Sequence, residues 1–178
     1  MVRVYLIGYM GVGKTTVGKK LAKLLNKNFI DLDRYIESKY HQTIGEIFAE
    51  KGEKEFRLVE EKALREVSQI EDVVVSTGGG APCFFNNMEV MNRTGITVYI
   101  HAEPEELASR LVASKNVRPI IAGKSFDELV PFIAGHLSDR KRFYNQARII
   151  YKTDYLITKE EVHVTVEGIA REIENLKI

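Results

Sequence analysis

The sequence predicts an α/β fold of three layers, a parallel β-sheet with helices on both faces. Three observations carry this expectation. Short β-branched and aromatic runs alternate with segments of helical period, the order that parallel strands joined by crossover helices produce. The first such run, "VRVYLI" at residues 2–7, leads directly into a glycine-rich stretch, "GYMGVGKT", and then into a helix-like segment. A second strand-like run, "DVVVS", also ends in glycines, "TGGGAP". In open parallel sheets, ligands sit beyond the carboxyl ends of the strands, which is where bare backbone is useful.

The elements follow in order. Residues 2–7 form a continuous apolar run, as in a strand covered on both faces. "TTVGKKLAKLL" spaces Val17, Leu21, Leu24 and Leu25 at helical intervals. "FIDLD", residues 29–33, reads as a second short strand ending in acids. The next stretch is helical in period, with Thr43 and Glu46 in capping-box spacing and Gly52 as a break between two helices. Phe56, Val59, Ala63, Leu64 and Val67 fall on one face of the second helix. This strand-free region, residues 34–71, can build a substrate pocket over the sheet. "ITVYIHA" is a strand, and "PEELASRLV" opens a helix with Pro104 near its first position. "ASKNVRPIIAGKS", residues 113–125, is polar, contains glycine and proline, and reads as a mobile loop. "SFDELVPFIAGHLSDRKRFYNQA" is helical in pattern, with Pro131 obstructing it. A last strand in "RIIYKTDYLIT" and a helix in "EEVHVTVEGIAREIENL" close the chain.

Composition narrows the function classes. A chain of 178 residues with 44% hydrophobic and 29% charged residues suits one soluble domain with a full core. A net charge of +1 gives no reason to expect a nucleic-acid or membrane-surface partner. Cys83 is the only cysteine, so no intrachain disulfide can form, and it reads as a small buried or half-buried residue. The four histidines lack metal-ligand spacing, which argues against zinc. No signal-peptide pattern and no apolar run of about 18 residues is present, so the expected location is the cytoplasm.

The glycine-rich stretch matches G-x-x-x-x-G-K-[ST], the Walker A pattern, between a buried strand and a helix. Bare backbone N–H groups and a helix N-terminus together make a receptor for nucleotide phosphates. The phosphate-binding set is then Gly11, Val12, Gly13, Lys14, Thr15 and Thr16. Lys14 reaches the β- and γ-phosphates, and the Thr15 hydroxyl suits Mg²⁺, which prefers oxygen ligands.

Three further features narrow the reaction. In extended geometry Asp31 and Asp33 project to the same side. One could orient a Mg²⁺-bound water while the other accepts a proton from a hydroxyl; alternatively Asp33 is simply the N-cap of the next helix. Arg57, beside Phe56, is either a ligand-binding cation or a helix charge paired with Glu53, Glu60 or Glu61. The three glycines after "DVVVST" imply close approach of backbone to a ligand, or a plain loop.

Taken together, "GYMGVGKTT", "DLDRYIE", "GEKEFRLVE", "STGGGAP", "VRPII" and "DRKRFY", in that order, resemble the shikimate kinase family, from about residue 2 to residue 144. The resemblance implies a P-loop NTPase fold of the nucleoside monophosphate kinase type. That fold has a five-stranded parallel sheet in a single kinase domain spanning residues 1–178, with a substrate-binding region at about 33–61 and a lid at about 112–124. It implies ATP-dependent phosphorylation of the 3-hydroxyl of shikimate, with Mg²⁺, by a monomer. Carried onto this chain, Asp33 binds the shikimate hydroxyls and acts as base, leaving Asp31 to reach Mg²⁺ through water beside Thr15. Arg57 and Arg140 hold the carboxylate, and Gly79, flanked by Gly78 and Gly80, donates its N–H to the ligand. Arg118 is the lid arginine, acting with Lys14 on the moving phosphoryl group, and Arg110 lies beside the adenine. Arg142 stands where the family often has proline, so Arg140 and Arg142 both remain candidates for the clamp, with Arg140 favoured by register. The adenine contacts after Tyr144 stay open.

A gluconate-type kinase is a second reading, because gluconate also offers a carboxylate and hydroxyls. A nucleotide switch or an inactive nucleotide-binding scaffold belongs to a different class; the chain has no N-K-x-D guanine motif. The lid assignment yields a direct expectation. Arg118→Ala lowers kcat by about 10²-fold while substrate binding changes less. Steady-state kinetics with ATP and shikimate check it, and full turnover would remove Arg118 from the reacting phosphoryl group.

Overall fold

A computed structural model of the chain, describing residues 2–114, 121–153 and 158–176, assembles the strand-like runs into one sheet of five parallel strands. These are β1 (Val4–Ile7), β2 (Asn28–Asp31), β3 (Val73–Ser76), β4 (Ile96–His101) and β5 (Ile149–Lys152), in the spatial order β2-β3-β1-β4-β5. The helices are α1 (Lys14–Leu24), α2 (Leu32–Tyr40), α3 (Ile44–Val67), α4 (Asn87–Thr94), α5 (Pro104–Ala113), α6 (Phe126–Tyr144) and α7 (Lys159–Asn175). The strand order reverses around β1, so the crevice at its carboxyl end is the topological switch point where α/β proteins bind ligands.

Two cores flank the sheet, and the period of two along each strand divides its residues between them. Val4 and Leu6 of β1, Val74 of β3, and Ile96, Val98 and Ile100 of β4 pack with α1, α5, α6 and α7. Tyr5, Ile7, Val73, Val75 and Tyr99 face the other way, against α2, α3 and α4. Because both faces are covered, the central strands read as unbroken apolar runs rather than as alternating patterns.

The Thr43–Glu46 capping box starts α3, and the same device starts α6 at Ser125 and α7 at Thr158. Gly52, at φ 78° and ψ 174°, breaks α3 into the two pieces expected, since that backbone conformation is open chiefly to glycine. Pro104 begins α5 as expected. Pro131 does not interrupt α6, which runs through it. The carbonyl it leaves unpaired belongs to Asp127, and both residues are exposed, so water can satisfy that oxygen.

Two other expectations change. Leu24 is not part of the apolar stripe of α1: it is 53% exposed, whereas Leu21 is fully buried. The buried face runs through Val17, Gly18, Leu21 and Ala22. Gly18 lets the helix lie close to the sheet, because a Cβ there would stand 2.5 Å from the Phe29 ring. The second strand ends at Asp31, and Leu32 already begins α2. Asp31, not Asp33, is the N-cap, accepting from the Arg34 N–H at 3.3 Å. Asp33 therefore sits in the first turn of α2, not in an extended strand.

The burial contrast within α1 predicts unequal costs. Leu21→Ala should lower the unfolding free energy by about 2–5 kcal/mol, and Leu24→Ala by less than about 0.5 kcal/mol. Urea titration of the two variants checks this.

Candidate active site

Register places the ends of three strands together. Leu6 of β1 and Asp31 of β2 both pair with Ser76 of β3. Beyond these ends lies a cleft of about 240 Å³ lined by Gly11, Gly13, Lys14, Thr15 and Thr16 on one side, and by Asp31, Asp33, Thr77, Gly78 and Gly79 on the other.

The loop from β1 to α1 is shaped for an anion. Gly11 and Gly13 have φ of 80° and 96°, a left-handed conformation that L side chains rarely adopt. Gly13 caps α1 without a side-chain hydrogen bond, and the first turn holds no acid. The positive end of the helix dipole therefore faces the cleft with no acid in the helix's own first turn. Lys14 is buried along the loop, its Nζ donating to the Gly8 and Tyr9 carbonyls at 2.8 and 3.0 Å. The Thr15 hydroxyl donates to Asp31 Oδ2 at 2.7 Å. Val12 is buried and anchors the loop in the core, while Thr16 is exposed at the rim. Arg110 supports the loop from behind: its Nη1 donates to the Val12 carbonyl at 3.1 Å, and it pairs with Glu106 one turn earlier in α5.

The glycine run after β3 is packed by charged side chains. A Cβ on Gly78 would lie 2.8 Å from Glu60 Oε1 and 3.2 Å from Asp33 Oδ1. One on Gly80 would lie 2.6 Å from Arg57 Nη2, and one on Gly79 3.5 Å from Arg140 Nη1. A side chain at 78 or 80 would thus have to push Glu60 or Arg57 aside, because these side chains occupy that volume. The structure brings Asp33, Arg57, Glu60 and Arg140 to one turn, next to the phosphate loop.

Arg57 is paired within its helix but is not a solvated charge. It pairs within its helix, Nη1 to Glu60 at 2.7 Å and Nη2 to Glu53 at 3.3 Å. It is also mostly buried, its guanidinium 4.2 Å from the Phe84 ring centroid and 5.2 Å from that of Phe56. Its Nε is buried with no hydrogen-bond partner among the described residues. Arg140 is half-buried, 5.3 Å from the Tyr9 ring centroid, and electrostatically coupled to Tyr144. Arg142 is exposed over the Phe143 ring. Of the two candidates, Arg140 reaches the glycine turn. Arg118 lies outside the described residues, as does the middle of the expected lid.

Sequence reasoning did not single out Glu60 as a site residue. It is 1% exposed and sits on the apolar face of α3, one turn after Phe56. Burial pushes its carboxyl up to about 7, with Asp33 adding to the effect and Arg57 and Arg140 opposing it. A glutamate inside an apolar stripe, three residues after an arginine, was the available signal. Tyr9 and His136 also escaped notice. The Tyr9 hydroxyl lies 2.9 Å from His136 Nδ1, and burial, then the Arg140 charge, lower the His136 pKa. Cys83 is half-buried as expected.

Comparisons with known proteins agree with this geometry. The sequence model of the shikimate kinase family matches residues 10–171. A shikimate kinase of Parabacteroides distasonis is 54% identical over 92% of this chain and 94% of that protein. The crystal structure of a shikimate kinase from Bacteroides thetaiotaomicron superposes with a TM-score of 0.93 at 50% identity, covering 97% of this chain and 98% of that one. A shikimate kinase from Acinetobacter baumannii, solved in complex with shikimate, gives a TM-score of 0.86 at 32% identity, covering 100% and 96%. A gluconokinase from Sinorhizobium meliloti shares the fold alone, at 17% identity and a TM-score of 0.60, covering 99% and 95%.

Glu60 makes the fold sensitive to pH. In the unfolded chain it ionises near its ordinary 4.5, and in the folded chain near 7. Between these values the folded state holds the extra proton, so stability falls as pH rises through that window. Relative to Glu60→Gln, the ligand-free protein should lose about 3 kcal/mol from pH 4.5 to pH 7.5. Urea titrations across that range read the difference; a flat one would mean that Glu60 keeps its ordinary proton affinity.

Proposed function

We infer the reaction from a settled premise: the chain belongs to the shikimate kinase family. It transfers the γ-phosphoryl group of ATP to the 3-hydroxyl of shikimate, giving shikimate 3-phosphate on the way to chorismate and the aromatic amino acids. The observation that carries this reading is the meeting of Asp33, Arg57, Glu60 and Arg140 at the glycine turn, beside the phosphate loop. Two guanidinium forks suit one small carboxylate, and an acid beside them suits an alcohol.

In this reading the triphosphate lies along the loop, with Gly11, Val12, Gly13 and Thr16 around the phosphates. Lys14 turns from the Gly8 and Tyr9 carbonyls towards the transferring group. Arg57 and Arg140 take the shikimate carboxylate, with the Gly79 N–H beside them. The ring is thereby oriented so that its 3-hydroxyl faces Asp33. The hydroxyl oxygen forms a bond to the γ-phosphorus as the bond to the bridging oxygen of ADP breaks, and the proton passes to Asp33. Such a transfer needs positioning and charge stabilisation more than covalent help from the protein. Arg118 would add positive charge from the lid, and closure would keep out water as a competing acceptor. Arg110 props the loop at the nucleotide end.

The donor set fits Mg²⁺. Thr15 and Asp31 present oxygens to the same cleft. That suits a hard cation held by few protein oxygens together with phosphate oxygens. Thr15 would hold it directly and Asp31 through water; when bound, it neutralises charge on the phosphates.

The test is release of ADP with shikimate, with gluconate and with no acceptor. Release dependent on shikimate alone supports the reading, whereas hydrolysis indifferent to acceptor favours a nucleotide switch. Asp33→Asn should lower kcat by about 10²-fold or more while nucleotide affinity, measured by calorimetry, stays unchanged. Near-normal turnover in that variant would dismiss Asp33 as the base.

A further inference from the structure

Three consecutive glycines give the chain its greatest backbone freedom where the acceptor has to be held most firmly. The structure restrains this turn at both of its inner peptide planes. The plane joining Gly78 to Gly79 is held by the Ala81 N–H, which donates to the Gly78 carbonyl at 3.2 Å. The plane joining Gly79 to Gly80 is held from across the fold. The Tyr144 hydroxyl donates to the Gly79 carbonyl at 2.6 Å, a contact between residues 65 apart in sequence.

The same hydroxyl is electrostatically coupled to the Arg140 guanidinium, one helical turn earlier in α6. A carbonyl can only accept and a guanidinium can only donate. The hydroxyl proton is therefore committed to the Gly79 carbonyl, which leaves the oxygen's lone pairs to the Arg140 charge. The ring bearing it is 1% exposed and packs against Tyr99, centroids 4.8 Å apart, so the hydroxyl is as fixed as the core. Gly79 and Arg140 are also in near contact directly, a Cβ on Gly79 standing 3.5 Å from Arg140 Nη1.

We propose that Tyr144 is a positioning residue for the carboxylate end of the acceptor, its hydroxyl fixing the glycine turn and the Arg140 guanidinium in one spacing. The proposal rests on the reading that Arg140 and this turn receive the shikimate carboxylate. Tyr144 touches no reacting atom. Its effect is to remove the freedom that binding would otherwise have to remove, which is preorganisation. The expected signature is therefore selective: weaker hold on the acceptor, with the nucleotide side untouched.

Tyr144→Phe keeps the ring and removes only the bridge. It should raise the KM for shikimate by about tenfold, the kinetic equivalent of one hydrogen bond to a charged group. The KM for ATP should stay within about twofold and kcat should fall by less than about threefold. Backbone amide exchange across residues 77–82 of the ligand-free protein should quicken in the variant. In an Arg140→Ala background the same change should cost much less, because the two residues act as a unit. A shikimate KM within twofold of wild type, an equal rise in both KM values, or full additivity with Arg140→Ala would overturn the proposal. A wild-type protein without shikimate-dependent turnover would instead overturn the acceptor reading, and this inference with it.

Discussion

The crowding of charged side chains at the end of β3 depends on two missing Cβ atoms, at Gly78 and Gly80. The glycine run at residues 78–80 lets four charged side chains from α2, α3 and α6 close on one main-chain turn at the end of β3. A methyl group at 78 or 80 would displace Glu60 or Arg57, and with it the ion pair between them. The rest of the local architecture serves that convergence. The broken α3 supplies Phe56, Arg57 and Glu60 after its Gly52 kink, and α6 carries Arg140 and Tyr144 on one face.

Bringing so much charge together in a half-buried place is costly unless each group is paired. Arg57 is met by Glu60 and Glu53 and covered by aromatic rings, and Arg140 by Tyr144 and the Tyr9 face. Glu60 has the least comfortable position, and its raised pKa records the burial. A bound carboxylate would add negative charge beside the two arginines. The phosphate loop uses backbone dipoles and one buried lysine where the glycine turn gathers charged side chains.

The sheet makes the two halves meet. Register aligns the ends of β1, β2 and β3, so the phosphate loop, Asp31 and the glycine run emerge side by side. Tyr9, in the phosphate loop, then lies under Arg140 and within hydrogen-bonding distance of His136. The phosphate loop and Arg140 thus meet at Tyr9, although they lie far apart along the chain.

Much of this was legible without coordinates. The alternation of elements, the Walker A loop, the capping boxes, the break at Gly52 and the two-sided burial of β1 are written in contiguous residues, because backbone conformation and one-face periodicity are local properties. The glycine run and Arg57 were legible as candidates, and the family resemblance gave them roles. Local spacing alone misplaced the end of β2, left Leu24 in the apolar stripe and set Pro131 against a helix that accommodates it. What only the tertiary structure decided is which side chains meet. Nothing near Glu60 in sequence says that it will lie against Gly78, nothing near Tyr144 that its hydroxyl will reach Gly79, and register only favoured Arg140 over Arg142. Those contacts join residues far apart along the chain, and their geometry is set by how helices pack on the sheet, a property of the whole core that no short stretch encodes.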